Sequence, residues 1–535
     1  MKRLIAMLLV LAMALAMAAC GGAPAQEQPS GADAPVINDA PKPVPEDAPT
    51  GDGVLNVGTG VAIDTLTPFR SNTGQDAAYM TLLFESLAAL TEGGKYEPWA
   101  AKSWTTTDGG FTYDIEIYDY IYDAAGNHIT ADDIVWVLES TIAAALKPDF
   151  GKIESVTKTG DYTLQVKMKS NMVGLFESIL KHTFIISKSA YEASADGFAT
   201  AAVTTSPYEV TEFTASAKLA FVKRADYWQK DESLIPNGFK ANTEAVTFHI
   251  ITEASQMGIA LETGVIEVAI DMAASTATQY VGNDQFYMEL TDNMQGWTLF
   301  FSGAESPVAD DVKLRQAVCY ALDAQAFITG VAFGYGEPMY DVCPPTAIGY
   351  QEQWKTEDYY PYNPELAKQL VAESNYNGET LTIICTAGSQ RTAEIFQGLL
   401  SEVGIKVELD VCDMARLTAI RLDGTQYDFF INTIGATTLA NHWSIRYDPN
   451  AYKTGDGTSR KDLVLGEMLY KTWTVDGYTP ENIDAVHDYL RDNAIGYGLY
   501  NPKVFTLARN EIGLTEEVKT YSGYMSVAAS TFTNY

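Results

Sequence analysis

"ETLTIICTAGSQRTAEIFQGLLSEVGIKVELDV" occupies residues 379–411. A short apolar run, "ETLTIICTA", has the length of a strand. "SQRTAEIFQGLLSEVG" carries its apolar residues at helical spacing, and "IKVELDV" is a second strand. Beyond it, "MARLTAIRLDG" predicts a helix and "YDFFINTI" a third strand. This alternation specifies a β-α-β-α-β unit with a parallel sheet. Ligands of such sheets sit beyond the carboxyl ends of the strands. The loops at 386–391, 412–416 and 434–443 therefore point at one place, and Ser389 is placed to cap the helix that begins there.

Upstream the pattern differs. "VLNVGTG", residues 54–60, alternates like a strand, and Gly58 and Gly60 suit a tight turn after it. "DAAYMTLLFESLAAL", residues 76–90, has helical spacing. "FTYDIEIY", residues 111–118, and "YTLQVKM", residues 162–168, alternate with period two and predict antiparallel strands. Between them Thr130 precedes "ADDIVWVLESTIAAAL", with Asp133 in the place of the capping-box Glu. Asp132 and Asp133 are thus a helix-start pair rather than an acid–base couple. Arg315 and Asp323 suit a helix-face or core ion pair. Trp104 and Trp228 suit core anchors.

The N-terminus indicates export. Lys2 and Arg3 precede an uninterrupted apolar run, Leu4 to Ala19, that ends in small residues before Cys20. The run falls short of the ~20 residues that a bilayer span needs. Residues 21–53 are rich in Pro, Ala, Gly and Asp, a composition that does not bury enough surface to fold and reads as a tether.

Composition narrows the rest. About 480 residues follow the tether, enough for two or more packed cores. The formal net charge of −34 repels phosphate backbones, which argues against nucleic-acid binding. Cys319, Cys343, Cys385 and Cys412 form no CxxC pair; the sequence leaves open one bridge or four thiols. Histidines at 128, 182, 249, 442 and 487 show no HExxH spacing, so neither a metal site nor a cofactor is expected. GxSxG, GxxxxGK[ST] and GxGxxG are absent, and no nucleophile–base motif is visible, so the chain is not read as an enzyme.

Two resemblances then enter. "MAACGG", residues 17–22, resembles a bacterial lipoprotein signal. This implies cleavage after residue 19 and a diacylglycerol on Cys20, with Met17 a departure from the usual first residue. The body, from about 54 to 535, resembles the bacterial extracellular solute-binding protein family 5, the receptors of oligopeptide, dipeptide and nickel ABC importers. The resemblance rests on "TLLFESL" followed by "YEPWAAKSW", on "NHITADDIVWVLE", on "TSPYEVTEF" with "FVKRADYW", and on "VADDVKLRQAVCYALD", in that order and spacing. It implies an α/β fold of the periplasmic-binding-protein type II, cluster C: two lobes joined by a hinge, plus an extra subdomain. Carried over, residues 54–92, 195–295 and 510–535 form lobe I, residues 93–194 the subdomain and residues 296–509 lobe II. The chain crosses between lobes near "QGWTLFFSGA" and "YNPKVFTLARNE".

The implied function is capture of a peptide-like or other small solute by a monomer. It would be lipid-anchored on the outer face of the cell membrane or in the periplasm, and deliver to an ABC permease and its ATPase. A non-transport surface or sensory protein and a tethered hydrolase are the alternatives. In peptide-binding members an aspartate after the third strand of lobe II pairs with the peptide ammonium. Here the matching stretch is "INTIGATTLANHW", residues 431–443, and Thr437 stands at that place. In "PFRSNTGQD" Asn72 replaces an acid found in some peptide receptors. The expected cleft residues are neutral (Asn72, Thr437, Thr438, Asn441), aromatic (Phe69, Trp297, Trp443), and basic or titratable (Arg391, His442). Arg391 is suited to fork a carboxylate or phosphate.

Overall fold

The computed structural model describes residues 52–535 apart from 70–76, 92–93, 237, 305, 436–437, 454–458, 513–519, 522–523 and 526–534. Cys20, Asn72 and Thr437 lie outside the described residues.

Residues 379–411 fold as their pattern dictates. Strand Thr380–Cys385 pairs in parallel with Lys406–Val411 on one side and Phe429–Gly435 on the other. Leu381, Ile383 and Cys385 are at most 1 % exposed on one face, and Ile384 is fully buried on the other. The strand is therefore covered on both sides, which is why it reads as a run rather than an alternation. Helix Gln390–Glu402 buries Ala393, Phe396 and Leu400 as a stripe against the first face. Helix Met414–Asp423 is capped by Asp413, whose side chain accepts from Arg416 N, and buries Leu417 and Ile420 on the second face.

One strand joins the two halves of the molecule. Gly496–Arg509 pairs through Gly496–Tyr500 with Gln295–Phe301, and through Tyr500–Pro502 with Gly336–Pro338. From Lys503 onward it pairs with Phe286–Asp292, and from Phe505 with Val268–Met272. The first ladder continues through Phe429–Gly435 to the parallel unit. The second continues through Leu55–Thr59, Ala245–Ile250, Lys218–Lys223 and Tyr208–Thr214. The connection between Asp292 and Gln295 crosses at the same level. Each half has its own core: Leu55, Val57, Leu83, Phe221, Phe248 and Val268 in one, Leu299, Leu314, Val318, Phe396 and Phe429 in the other. We call them lobe I and lobe II.

A four-stranded antiparallel sheet, Ala101–Thr106, Thr112–Ile117, Thr163–Met168 and Ile153–Gly160, carries helices Ala131–Ala144 and Leu175–Lys181 over a third core. Thr130 and Asp133 form the expected capping box, with Thr130 N donating to Asp133 Oδ2 over 2.8 Å.

Four local expectations are corrected. The helix at 76–90 spans only Ala77–Leu83, because the chain turns out to bring Glu85 into the interior and then forms strand Ala88–Thr91. Gly58 lies within strand Leu55–Thr59, where a Cβ would stand 2.4 Å from Ile266 Cδ1; it serves close packing, not a turn. Ser389 does not cap its helix; its hydroxyl accepts from Thr386 N at 3.0 Å. Arg315 and Asp323 make no pair: Arg315 donates to backbone carbonyls, and Asp323 caps helix Ala324–Val331.

The quoted motifs are framework. Glu85 is fully buried and accepts from Tyr227 Oη and from Trp228 Nε1, which ties "FESL" to "ADYW". Burial pushes its carboxyl up to about 8 against the lowering by those bonds. Arg224 donates to the carbonyls of Thr204, Ser206 and Asp123.

Candidate functional site

On lobe II the carboxyl ends of the parallel strands fall at Cys385, Val411 and Gly435. Trp297 lies at this end, opposite Thr433 and beside Tyr500, on which its ring stacks at 6.2 Å. It is only partly buried. Arg391 stands in the first turn of helix Gln390–Glu402 with 65 % of its side chain exposed, and its Nη1 reaches Glu394 Oε2 at 3.4 Å. A guanidinium so placed can leave its neighbour for an incoming carboxylate at small cost, since exposed pairs are worth under about 1 kcal/mol. The helix N-terminus adds a favourable field for an anion.

The stretch 438–443 splits between two environments. Thr438 caps helix Leu439–Tyr447, its hydroxyl accepting from Asn441 N at 3.1 Å, and is 2 % exposed. Asn441 is half-buried, and its side chain bonds the Asp149 carboxyl of the subdomain. His442 and Trp443 are both fully buried, and Trp443 joins the core of lobe II with Leu465, Leu469 and Val486. Burial, with Arg446 nearby, pushes the His442 pKa down to about 3, so the ring is neutral. Thr438 and Asn441 therefore face the subdomain, while His442 and Trp443 face inward. The sequence alone left all four in the loop at 434–443, whereas Thr438 starts a helix there.

Phe69, from lobe I, is half-buried and packs edge-on against Trp136 at 5.5 Å and Tyr191 at 5.2 Å. The structure thus brings Trp297 and Arg391 to one end of lobe II and Thr438 and Asn441 to a seam with the subdomain. Phe69 belongs to the wall of lobe I.

Sequence reasoning missed that seam. Val173 N donates to Trp473 O at 2.7 Å. Gly174, at φ 76°, lies where a Cβ would stand 2.7 Å from Thr438 Cγ2. Ser178 Oγ donates to Asp149 Oδ2 at 2.8 Å, and burial raises the Asp149 pKa. The partners that cross the seam, Val173 with Trp473, Gly174 with Thr438 and Asp149 with Asn441, are hundreds of residues apart and share no motif. Only Gly174, a glycine just before a helix, carried a signal.

No helix among the described residues is long and apolar enough to cross a membrane. Among them no group of three or more His, Cys, Asp or Glu side chains is arranged to hold a metal ion. Cys319, Cys343, Cys385 and Cys412 are free thiols.

Comparison with known proteins agrees with this architecture. The chain is 25 % identical over 377 residues to the glutathione-binding protein GsiB of Shigella flexneri serotype 5b, covering 68 % of this chain and 70 % of that protein. It shares the fold of DppA from Helicobacter pylori in complex with the peptide STSA, at a TM-score of 0.71, 19 % identity and coverage of 87 % and 95 % of the two chains. It also shares the fold of NikA from Brucella suis in complex with Fe(III)-EDTA, at a TM-score of 0.73, 19 % identity and coverage of 88 % and 97 %. Residues 95–453 match the middle region of the bacterial extracellular solute-binding proteins, family 5, and the chain belongs to that family.

Proposed function

We propose that this chain is the lipid-anchored receptor of an ABC importer, which captures a peptide-like, carboxylate-bearing solute between its lobes and delivers it to a permease. The observation that carries the reading is the pair of crossings between two separately cored lobes, in a chain whose residues 95–453 match the family. Such a body closes on its ligand by rotation at the crossings. Closure is selective because it desolvates polar groups that only a fitting solute satisfies.

The ligand class follows from what the cleft-side sequence lacks. Residues 431–443 contain neither Asp nor Glu, and a buried ammonium without a partner carboxylate costs several kcal/mol. Arg391, exposed at a helix start, supplies the opposite charge. An ordinary free-amine peptide is therefore a poor fit. A capped or modified peptide, another anionic or neutral oligomer, or a metal chelate suits the site better. The names of GsiB, with glutathione, and NikA, with Fe(III)-EDTA, show that relatives accept solutes outside the ordinary peptides.

Native mass spectrometry of the purified chain identifies a co-purifying solute, expected to carry a carboxylate or phosphate. Arg391→Ala is then expected to weaken its binding about tenfold or more, and unchanged affinity removes Arg391 from the site. Anchoring is tested separately: labelling with a tagged fatty acid is expected for the wild type and lost in Cys20→Ala, and equal labelling of both contradicts it.

A further inference from the structure

Lys503 stands where the two ladders on the crossing strand meet. Its Nζ lies 2.5 Å from Asp292 Oδ1 and 2.6 Å from Glu337 Oε1. Asp292 is the last residue of its strand and sits opposite Lys503 in the lobe I ladder. Glu337 belongs to Gly336–Pro338, which pairs with Tyr500–Pro502 and so extends the lobe II ladder. One ammonium therefore holds a carboxylate from each side of the junction. The surroundings fix it further: Lys503 N donates to Tyr335 O at 3.1 Å, and Asn501 Nδ2 donates to Asn293 O at 2.9 Å, linking the two crossings. The Lys503 side chain is 22 % exposed, against 62 % for Asp292 and 63 % for Glu337. Partial burial works against the charge on Lys503, but the bonds to the two carboxylates outweigh it and raise its pKa.

We infer that Lys503 is a hinge clamp. By holding Glu337 across the junction of the ladders, it favours the arrangement in which the subdomain meets lobe II over an opened one. It thereby sets the apparent affinity of the receptor for its solute. This rests on the two-lobed receptor reading above. The two arms are unequal. Asp292 and Lys503 are register partners within one ladder and keep their contact when the lobes rotate. Glu337 and Lys503 are held by different ladders that meet at the Lys503 N to Tyr335 O bond, so rotation there strains this arm rather than the other. A charge-assisted bond that is partly exposed shifts such an equilibrium modestly, by a factor of roughly three to ten. Apparent affinity falls with the fraction of molecules in the competent form.

Small-angle scattering of the ligand-free mature chain tests this without knowledge of the solute. Glu337→Gln and Lys503→Met are expected to raise the radius of gyration and to lower the closed-to-open ratio about fivefold. Asp292→Asn is expected to change the ratio less than about twofold. Salt at 1 M is expected to shift the wild type in the same direction and to leave Lys503→Met unmoved. Profiles of Glu337→Gln and Lys503→Met that match the wild type, with near-ultraviolet circular dichroism unchanged, overturn the clamp. Should Lys503→Met fail to fold, Glu337→Gln decides alone, since its side chain is mostly in solvent. Failure of the receptor reading has a different signature: no solute compacts any variant, while the ligand-free comparison stays readable.

Discussion

Arg315 and Arg391 lie in the same lobe and are put to opposite uses. Arg315 is 3 % exposed and donates to the carbonyls of Val308, Ala309, Asn493 and Ala494 at 2.7–3.2 Å. Arg391 keeps 65 % of its side chain in solvent and reaches Glu394 at 3.4 Å. The first fixes how one helix start, one helix end and one strand start meet. The second is held loosely by one exposed pair in the first turn of its helix. The same contrast separates Glu85, buried with both oxygens bonded to Tyr227 and Trp228 of the third core, from Asp149, which bridges the subdomain and lobe II across their seam. Residues whose bonding is saturated in the interior build the fold. Residues whose bonds join the subdomain to lobe II, or that reach solvent, are the ones proposed to act in closure and capture.

The largest expected effect probes the framework side. Arg315→Met leaves several buried carbonyls without their donor and is expected to cost about 3–5 kcal/mol, read as a lower denaturation midpoint. A loss below about 1 kcal/mol would mean that the carbonyls find water and that the framework is less closed than its geometry implies.

Glu85 sharpens the comparison through pH. Its folded pKa is raised, from 4.5 to about 8, so the fold favours the neutral acid. That contribution is fully present below about pH 4.5 and is lost as pH rises toward 8. Stability is expected to fall over this window by roughly 1 kcal/mol per pH unit from this group alone. Glu85→Gln is expected to flatten the slope. Buried His442 acts on the other side: with its pKa pushed down to about 3, its contribution is lost as pH falls below about 6.5. An unchanged slope between pH 4.5 and 8 in Glu85→Gln would place the titrating group elsewhere.

This framework was the legible part. "FESL", "ADYW" and "VKLRQAV" stand out because Glu85, Trp228 and Arg315 each have one permitted geometry, and such residues form spaced motifs. The β-α-β-α-β unit was legible because its strands and helices differ in period. The site was less so. His442 and Trp443 point into lobe II because Thr438 starts a helix, a start that the sequence pattern left inside a loop. The seam between Asp149 and Asn441 joins residues distant in the chain and leaves no local pattern.

A wedge at that seam has a smaller effect. Gly174 has a positive φ of 76° and lies against the Thr438 methyl. Gly174→Ala is expected to cost about 1 kcal/mol through backbone strain and crowding, and to enlarge the ligand-free molecule in scattering. A stable variant of unchanged size would show that the seam does not hold the subdomain to lobe II.

The smallest change in stability belongs to Arg391→Ala, within about 0.5 kcal/mol, because the side chain is exposed and weakly paired. Its effect is expected in binding instead, which makes it the counterpart of Arg315→Met. The most direct test of the account is therefore a calorimetric titration of the wild type and Arg391→Ala with a series of unmodified di- to pentapeptides and with carboxylate-bearing, amine-capped forms of the same peptides. The account predicts measurable binding of capped forms, weakened about tenfold or more in Arg391→Ala, and little binding of the unmodified series. Tight binding of the unmodified peptides, unaltered by Arg391→Ala, would contradict it.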